Sequence, residues 1–153
     1  MKPLRAVEVC NACRKLTIVP ENICDLFQKL DRCQGFHLEK GDLSLAFVSK
    51  KKIKEIHRQF LGDFSLTDVI TFRGDRDLNF AGEIILCPVY ARDQSKIYGT
   101  TFEEEVKLYL VHGYLHLCGL KDKTEKEAQE MRAAEIFCMN FLKNFVLQVF
   151  LKN

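Results

Sequence analysis

Apolar residues recur along this chain with two spacings, every second residue or every third to fourth, and segments of the two kinds alternate. Alternation of apolar and charged residues predicts a first strand at 4–9, and compact apolar runs predict later strands. Apolar positions at helical spacing, bounded by Pro, capping boxes and Gly, predict helices between and after the strands. The predicted strands cover 4–9, 43–48, 68–72 and 83–87, and the predicted helices cover 20–35, 50–60, 88–98, 100–117 and 124–143.

This order of elements predicts an α+β fold in which a mixed four-stranded sheet is covered by about five helices. At 153 residues the chain fits one domain covering 1–153, and it contains no internal repeat, low-complexity stretch or linker. The apolar C-terminal stretch Phe145–Leu151 is expected to pack internally as an extension of the last helix. The longest apolar runs fall short of the ~20 residues that a membrane span needs.

Charge and cysteine content narrow the choice of partner and compartment. Lys and Arg number 23 against 21 Asp and Glu, so any surface that binds a nucleic acid must be local. The seven cysteines are an odd number with no secretory signal ahead of them, which predicts reduced thiols in a cytoplasmic protein. The lone pair Cys10 and Cys13 is interpreted as core-forming or idle thiols rather than a redox or zinc-ribbon site.

The strongest chemical signal is a pair of histidines on the long central helix predicted at 100–117. His112 and His116 are four residues apart, so both imidazoles lie on one helical face and can point at one ion. Gly119 favours the end of the helix and a turn, which can bring Asp122 back toward the same point. Two nitrogens and one oxygen leave the fourth position of a tetrahedral zinc open, as in catalytic sites. The predicted metal ligands are therefore His112, His116 and Asp122.

Three other interpretations of this motif compete with a catalytic metal site. Asp122 is also placed to be the N-cap of the next helix, and Tyr109 and Tyr114 can supply ordinary hydrogen-bond partners to buried histidines. A closed structural site would need a fourth ligand, for which Cys118 is the nearest thiolate. Helical geometry turns Cys118 about 200° from His116, so we expect it to point away.

Three segments, in this order, resemble the YbeY family of bacterial rRNA maturation factors, which are zinc-dependent single-strand endoribonucleases. They are Thr67–Phe72, Gly82–Ile85 and His112–Asp122, and the full match to His-Gly-x-Leu-His-Leu-x-Gly at 112–119 is the specific part. The resemblance covers roughly 43–135. It implies one Zn²⁺ per chain, single-stranded rRNA as substrate, the small ribosomal subunit and its maturation factors as partners, and a cytoplasmic role in 3′-end maturation and ribosome quality control.

The chain departs from the family pattern at two places. Asp122 stands where the family has a third histidine, and a carboxylate is a competent zinc ligand that favours harder ions than imidazole does. Phe60 and Leu61 stand where the family has a Tyr-Arg pair, which removes a cation expected to contact RNA. Arg58 or Arg73 is a candidate replacement.

A zinc ion with an open coordination position lowers the pKa of its bound water and can polarise a phosphoryl oxygen. Both effects favour phosphodiester cleavage. Zinc proteases carry a Glu general base beside the first histidine, where this chain has Gly113, so proteolysis is the weaker hypothesis. Glu83, Asp68 or the substrate 2′-hydroxyl is the candidate base. The alternative function is a ribosome-associated RNA-binding factor with weak or no nuclease activity. The candidate RNA contacts are Arg58, Arg73, Lys121 and Lys123.

Overall fold

The computed structural model describes residues 5–62, 65 and 67–153. The strands are β1 Val7–Asn11, β2 Leu16–Ile18, β3 Asp42–Phe47, β4 Val69–Asp75, β5 Phe80–Leu86 and β6 Val149–Leu151, and the α-helices are α1 Pro20–Arg32, α2 Lys50–Leu61, α3 Pro88–Tyr98, α4 Phe102–Leu117 and α5 Glu125–Phe141. No helix within these residues is both long and apolar enough to cross a membrane.

Four of the strands form one mixed sheet in the order β1-β3-β5-β4. The first three run parallel to one another, and β4 pairs antiparallel with β5 and forms an edge of the sheet. With the five helices in the described part of the chain, this arrangement confirms the predicted α+β class. The first strand begins at Val7 and extends to Asn11, later than predicted, and Leu4 lies outside the described residues.

The C-terminal stretch is not an extension of the last helix, so that prediction is wrong. The helix α5 ends at Phe141, and β6 then pairs antiparallel with β2 to form a separate two-stranded sheet. The buried Leu151 next to the exposed Phe150 follows the period of a strand, not that of a helix. The chain between the two elements is held by Lys107, whose Nζ donates to the Phe145 carbonyl at 2.6 Å.

The helix α4 packs closely on one face of the mixed sheet, while α2 covers the other face. A Cβ added at Gly113 would lie 2.9 Å from Cγ2 of Ile84, so only glycine allows the helix to approach β5 this closely. Residues 82, 84 and 86 of β5 thus face α4, because alternate residues of a strand share a face. Ile85 lies on the opposite face, where it belongs to a smaller core cluster with Ile53 of α2.

Candidate metal centre

The histidines of α4 lie side by side on the face of the helix next to the one that contacts the sheet. Their Nε2 atoms are 3.0 Å apart, and the side chains of His112 and His116 are 15% and 24% exposed. The helix begins at the N-cap Thr101, whose hydroxyl accepts from the Glu104 amide at 3.1 Å. Close packing of Gly113 on the sheet then fixes the rotation of the helix, and with it the direction of both imidazoles.

Asp122 completes a cluster of three metal-ligating side chains. Gly119, with φ +107, turns the chain after the helix ends, and Asp122 Oδ2 lies 3.4 Å from both Nε2 atoms. The N-cap of α5 is Thr124, which forms a capping box with Glu127. Asp122 is therefore not the cap of the following helix, and the competing interpretation of this carboxylate is wrong.

Each imidazole is held through its other ring nitrogen. His112 Nδ1 lies 2.7 Å from Glu135 Oε2, and His116 Nδ1 lies 3.0 Å from the carbonyl oxygen of Leu120. A carboxylate and a carbonyl only accept hydrogen bonds, so each Nδ1 must be the donor. When both rings are neutral, each Nε2 atom therefore carries a lone pair. The two Nε2 atoms lie 3.0 Å apart, beside the Asp122 carboxylate. A proton or a metal ion between the two nitrogens would remove the repulsion of these lone pairs.

The donor set fits a tetrahedral zinc ion. Zinc bonds of about 2.0–2.2 Å at tetrahedral angles separate two ligand atoms by about 3.3–3.5 Å. In the His112–His116–Asp122 group, Asp122 Oδ2 lies 3.4 Å from each Nε2 atom, within this range, and the two Nε2 atoms are closer to each other, at 3.0 Å. Three protein ligands leave one coordination position open, as in catalytic rather than structural zinc sites.

The charges around His112 favour its protonated form. Burial by itself lowers the pKa of His112, but the hydrogen bond from Nδ1 to Glu135 and the negative charges of Asp68, Glu135 and Asp122 together raise it above the ordinary value. The same field of carboxylates favours a bound metal cation, because metal and proton compete for the same nitrogen.

The two candidate bases lie on opposite sides of the sheet. Asp68 precedes β4 on the side of the metal centre and lines a cavity of about 450 Å³ with Tyr109 of α4. Its Oδ1 accepts from the Val69 amide at 2.7 Å. Glu83 shares the α2-facing side of β5 and accepts from the Ser44 hydroxyl at 3.3 Å. The structure does not bring Glu83 to the metal ligands, because strand alternation points it across the sheet.

The four candidate RNA contacts also divide between the two sides. Arg73 pairs in register with Gly82, which packs against Leu117 of α4, so its side chain shares the α4 face. Lys121 and Lys123 are exposed and flank Asp122. Arg58 lies on α2 across the sheet from α4, and the structure does not bring it to the metal centre.

Cys118 does not join the metal cluster. It caps the C-terminus of α4 beyond His116, and burial raises the pKa of its thiol to about 12. All seven cysteines of the chain are unpaired in the structure.

Sequence reasoning missed Glu135 as a partner of the metal site. The buried residues Met131, Ala134 and Cys138 define the inner face of α5, and Glu135 is the carboxylate next to that face. The signal in the sequence that could have identified Glu135 is an acidic residue next to the apolar face of a predicted helix. Nothing in the sequence tells which histidine it would reach, because 23 residues separate it from His112.

Comparisons with known proteins point to one family. A family model described as Endoribonuclease YbeY matches residues 9–143. Endoribonuclease YbeY of Christiangramia forsetii is 35% identical over 95 residues, which cover 62% of this chain and 66% of the relative. Endoribonuclease YbeY of Staphylococcus aureus is 36% identical over 107 residues, which cover 62% of this chain and 69% of the relative. The matches thus span about two thirds of each relative's length.

A solution structure of a Thermotoga maritima protein has the same fold. The superposition covers 90% of this chain and 92% of the Thermotoga chain, with a TM-score of 0.57 and 24% sequence identity. The family model covers most of the chain, including both histidines and the aspartate of the metal centre. By that match and by its curated relatives, this chain belongs to the endoribonuclease YbeY family.

Proposed function

We propose that this protein is a zinc-dependent endoribonuclease that cleaves single-stranded rRNA during maturation of the small-subunit 3′ end and in ribosome quality control. The observation that carries the proposal is the group His112, His116 and Asp122, whose donor atoms lie 3.0, 3.4 and 3.4 Å apart, close to the ligand spacing around a tetrahedral ion. The relatives are named endoribonucleases, which supplies the reaction class. The proposed partners are the small ribosomal subunit and its maturation factors, and the proposed location is the cytoplasm.

A bound zinc ion would supply a water of lowered pKa and a Lewis acid beside the scissile phosphate. The chain's own residues perform the rest. Glu135 and the Leu120 carbonyl hold the two imidazoles with both Nε2 atoms beside Asp122, where they would bind the ion, and the Asp122 carboxylate would neutralise one of its charges. The anionic Asp122 would make a bound ion a weaker Lewis acid than a third imidazole would, so we expect a modest turnover.

Asp68 is the better placed of the two candidate bases. It lies on the side of the metal centre, and its charge contributes to the raised pKa of His112, whereas Glu83 faces α2. With Oδ1 occupied by the Val69 amide, the carboxylate is held in place and can accept a proton from water or from the substrate 2′-hydroxyl. Lys121 and Lys123 are proposed to contact the RNA backbone next to Asp122.

The test is to measure zinc content and cleavage of single-stranded RNA for the wild type, Asp122→Ala, Asp122→His and the matched control Cys118→Ala. We expect one zinc per chain in the wild type and in Cys118→Ala. In Asp122→Ala we expect affinity to fall at least tenfold and cleavage to fall by a similar factor or more.

The opposite result favours the alternative function, an RNA-binding factor of the ribosome without strong nuclease activity. If wild-type protein binds RNA but holds less than one zinc and does not cleave, while Asp122→His gains both metal and cleavage, the natural chain is not the proposed enzyme. A loss of metal in Cys118→Ala would show that the ligand set is wrong.

A further inference from the structure

A cavity of about 530 Å³, here called the arginine cavity, opens where the metal motif ends. One wall is Leu117–Gly119, three of the five residues between His116 and Asp122. The other walls are the end of β4 with Arg73, the short 3-10 helix that follows it with Arg76, the start of β5 with Phe80, and the loop before β3 with His37. This volume lies in the range of sites for small ligands and is open to the metal centre's own loop.

The loop that forms one wall is held in place by a buried arginine. The Arg5 side chain is 4% exposed and pairs with Asp31 at 2.9 Å, and its other guanidinium nitrogens donate to the carbonyls of Leu38, Glu39 and Gly41. Asp31 also accepts from the Tyr114 hydroxyl of α4 at 2.8 Å. The wall is thus tied to α4, the helix that carries His112 and His116.

The charge of the arginine cavity is positive. Within the described part of the chain no carboxylate pairs with Arg73, which is exposed on the α4 face of the edge strand β4. The one acidic residue in the lining, Glu39, lies 3.8 Å from Arg76, and both side chains are more than half exposed, so their attraction is screened by solvent. An anion in the cavity can therefore meet the Arg73 guanidinium without displacing an ion pair.

The remaining lining suits a nucleobase. Phe80 is half-buried and Leu117 lies beside Gly82, which together give the positively charged cavity an apolar side. A phosphate held by an arginine fork next to an apolar or aromatic surface is the combination by which proteins hold single-stranded nucleic acid.

We propose that the arginine cavity is a nucleotide subsite for the RNA strand, in which Arg73 binds the phosphate that neighbours the scissile one and Phe80 and Leu117 contact its base. The subsite rests on the proposed function for its substrate class. Leu61 on α2 stands where the family has an arginine, and its side chain carries no charge. The subsite assigns the cationic role of that arginine to Arg73 on β4.

The experiment measures binding of a 2′-O-methyl RNA about ten nucleotides long to the full chain in the presence of a chelator, so that cleavage cannot contribute. Fluorescence anisotropy is recorded over a series of salt concentrations for the wild type, Arg73→Ala and the matched control Arg14→Ala. Arg14 is exposed in the turn after β1, near the Asn11–Phe47 end of the sheet, whereas the cavity lies at the opposite end, near Phe80. Titration with AMP, followed by backbone amide NMR shifts, locates the contact.

We expect Arg73→Ala to weaken RNA binding about tenfold at low salt and to reduce the salt slope by about one, with Arg14→Ala unchanged. AMP is expected to shift amides at 73–81 and 117–119. Equal affinities of the two variants, or AMP shifts elsewhere, would overturn the subsite. A wild type that fails to cleave RNA while Arg73→Ala still loses binding would overturn the proposed function and leave the subsite standing.

Discussion

Each imidazole of the metal centre has its Nδ1 atom committed to an acceptor that carries no proton. This leaves both Nε2 lone pairs directed at one point, 3.0 Å apart and next to Asp122. Of the two acceptors, the Leu120 carbonyl is part of the same loop as the ligands, while Glu135 comes from α5. His112 is therefore oriented by a second helix, and the charge of that partner would strengthen His112 as a donor to a bound metal.

The first prediction tests this contact with Glu135→Gln. The amide retains an acceptor for the His112 Nδ1–H but removes the negative charge, so we expect zinc affinity to fall about tenfold to 100-fold. Affinity is measured by competition with a chromophoric chelator. Glu130→Gln, an exposed acidic residue of the same helix, is the control, and equal affinities of the two variants would show that Glu135 does not support the ligand.

At the scale of elements, one buried ion pair joins α1, α4 and the loop before β3. Asp31 of α1 forms an ion pair with Arg5 and accepts a hydrogen bond from the Tyr114 hydroxyl. The side chains of Arg5 and Asp31 are 4% and 5% exposed. Three elements distant in sequence thus share one set of hydrogen bonds. Removing the carboxylate would leave a buried guanidinium without its counter-charge.

We accordingly expect Asp31→Ala to lower the free energy of unfolding by about 3–5 kcal/mol, as breaking one partner of a buried pair does. Urea denaturation followed by circular dichroism measures the change. Asp25→Ala, an exposed aspartate on the same helix, should stay within about 0.5 kcal/mol of the wild type. A difference between the two variants of less than about 1 kcal/mol would mean that the pair is not holding these elements together.

Helix positions were predicted within a few residues because each helix carries its own start and stop signals. Thr101 and Thr124 cap α4 and α5, and Pro begins α1 and α3. The strands β2 and β6 were missed because three residues are too few to show a period. Their pairing depends on contacts between the two ends of the chain, which local patterns do not contain.

At the scale of the whole molecule, the stability of the metal-free protein and the stabilisation by bound zinc should depend on pH in opposite ways. In the metal-free protein the pKa of His112 is raised above its value of 6.5 in model peptides, by Glu135 and the surrounding carboxylates acting against burial. A raised folded-state pKa contributes stability that is complete below the unfolded pKa and is lost as the pH rises through the folded pKa. Zinc binding has the opposite dependence, because the ligand must be neutral.

We therefore predict opposite pH trends for the two forms of the protein. With a chelator present, the melting temperature of the wild type relative to His112→Gln should fall as the pH rises from about 6.5. The increase in melting temperature caused by zinc should grow over the same interval. Scanning calorimetry measures both, with His37→Gln, an exposed histidine, as the control. A zinc effect that is constant with pH would contradict histidine ligation.

The candidate site was predictable to the extent that it lies in one continuous segment. His112, His116 and Asp122 are within eleven residues, so helical spacing and one glycine turn sufficed to bring them together. The partners that orient and surround the ligands come from elsewhere in the chain. Glu135, Asp68 and Arg73 are brought beside them by the packing of α4 between α5 and the edge strand β4.

By itself, the sequence determined the helices, the mixed sheet and the grouping of His112, His116 and Asp122, because periodicity, caps and i, i+4 spacing act over a few residues. Tertiary structure alone decided which face of the sheet each functional residue occupies. It placed Glu83 across the sheet from the metal centre and Arg73 beside the end of α4. Strand register and helix packing make that choice, and a shift of one residue along a strand would reverse it.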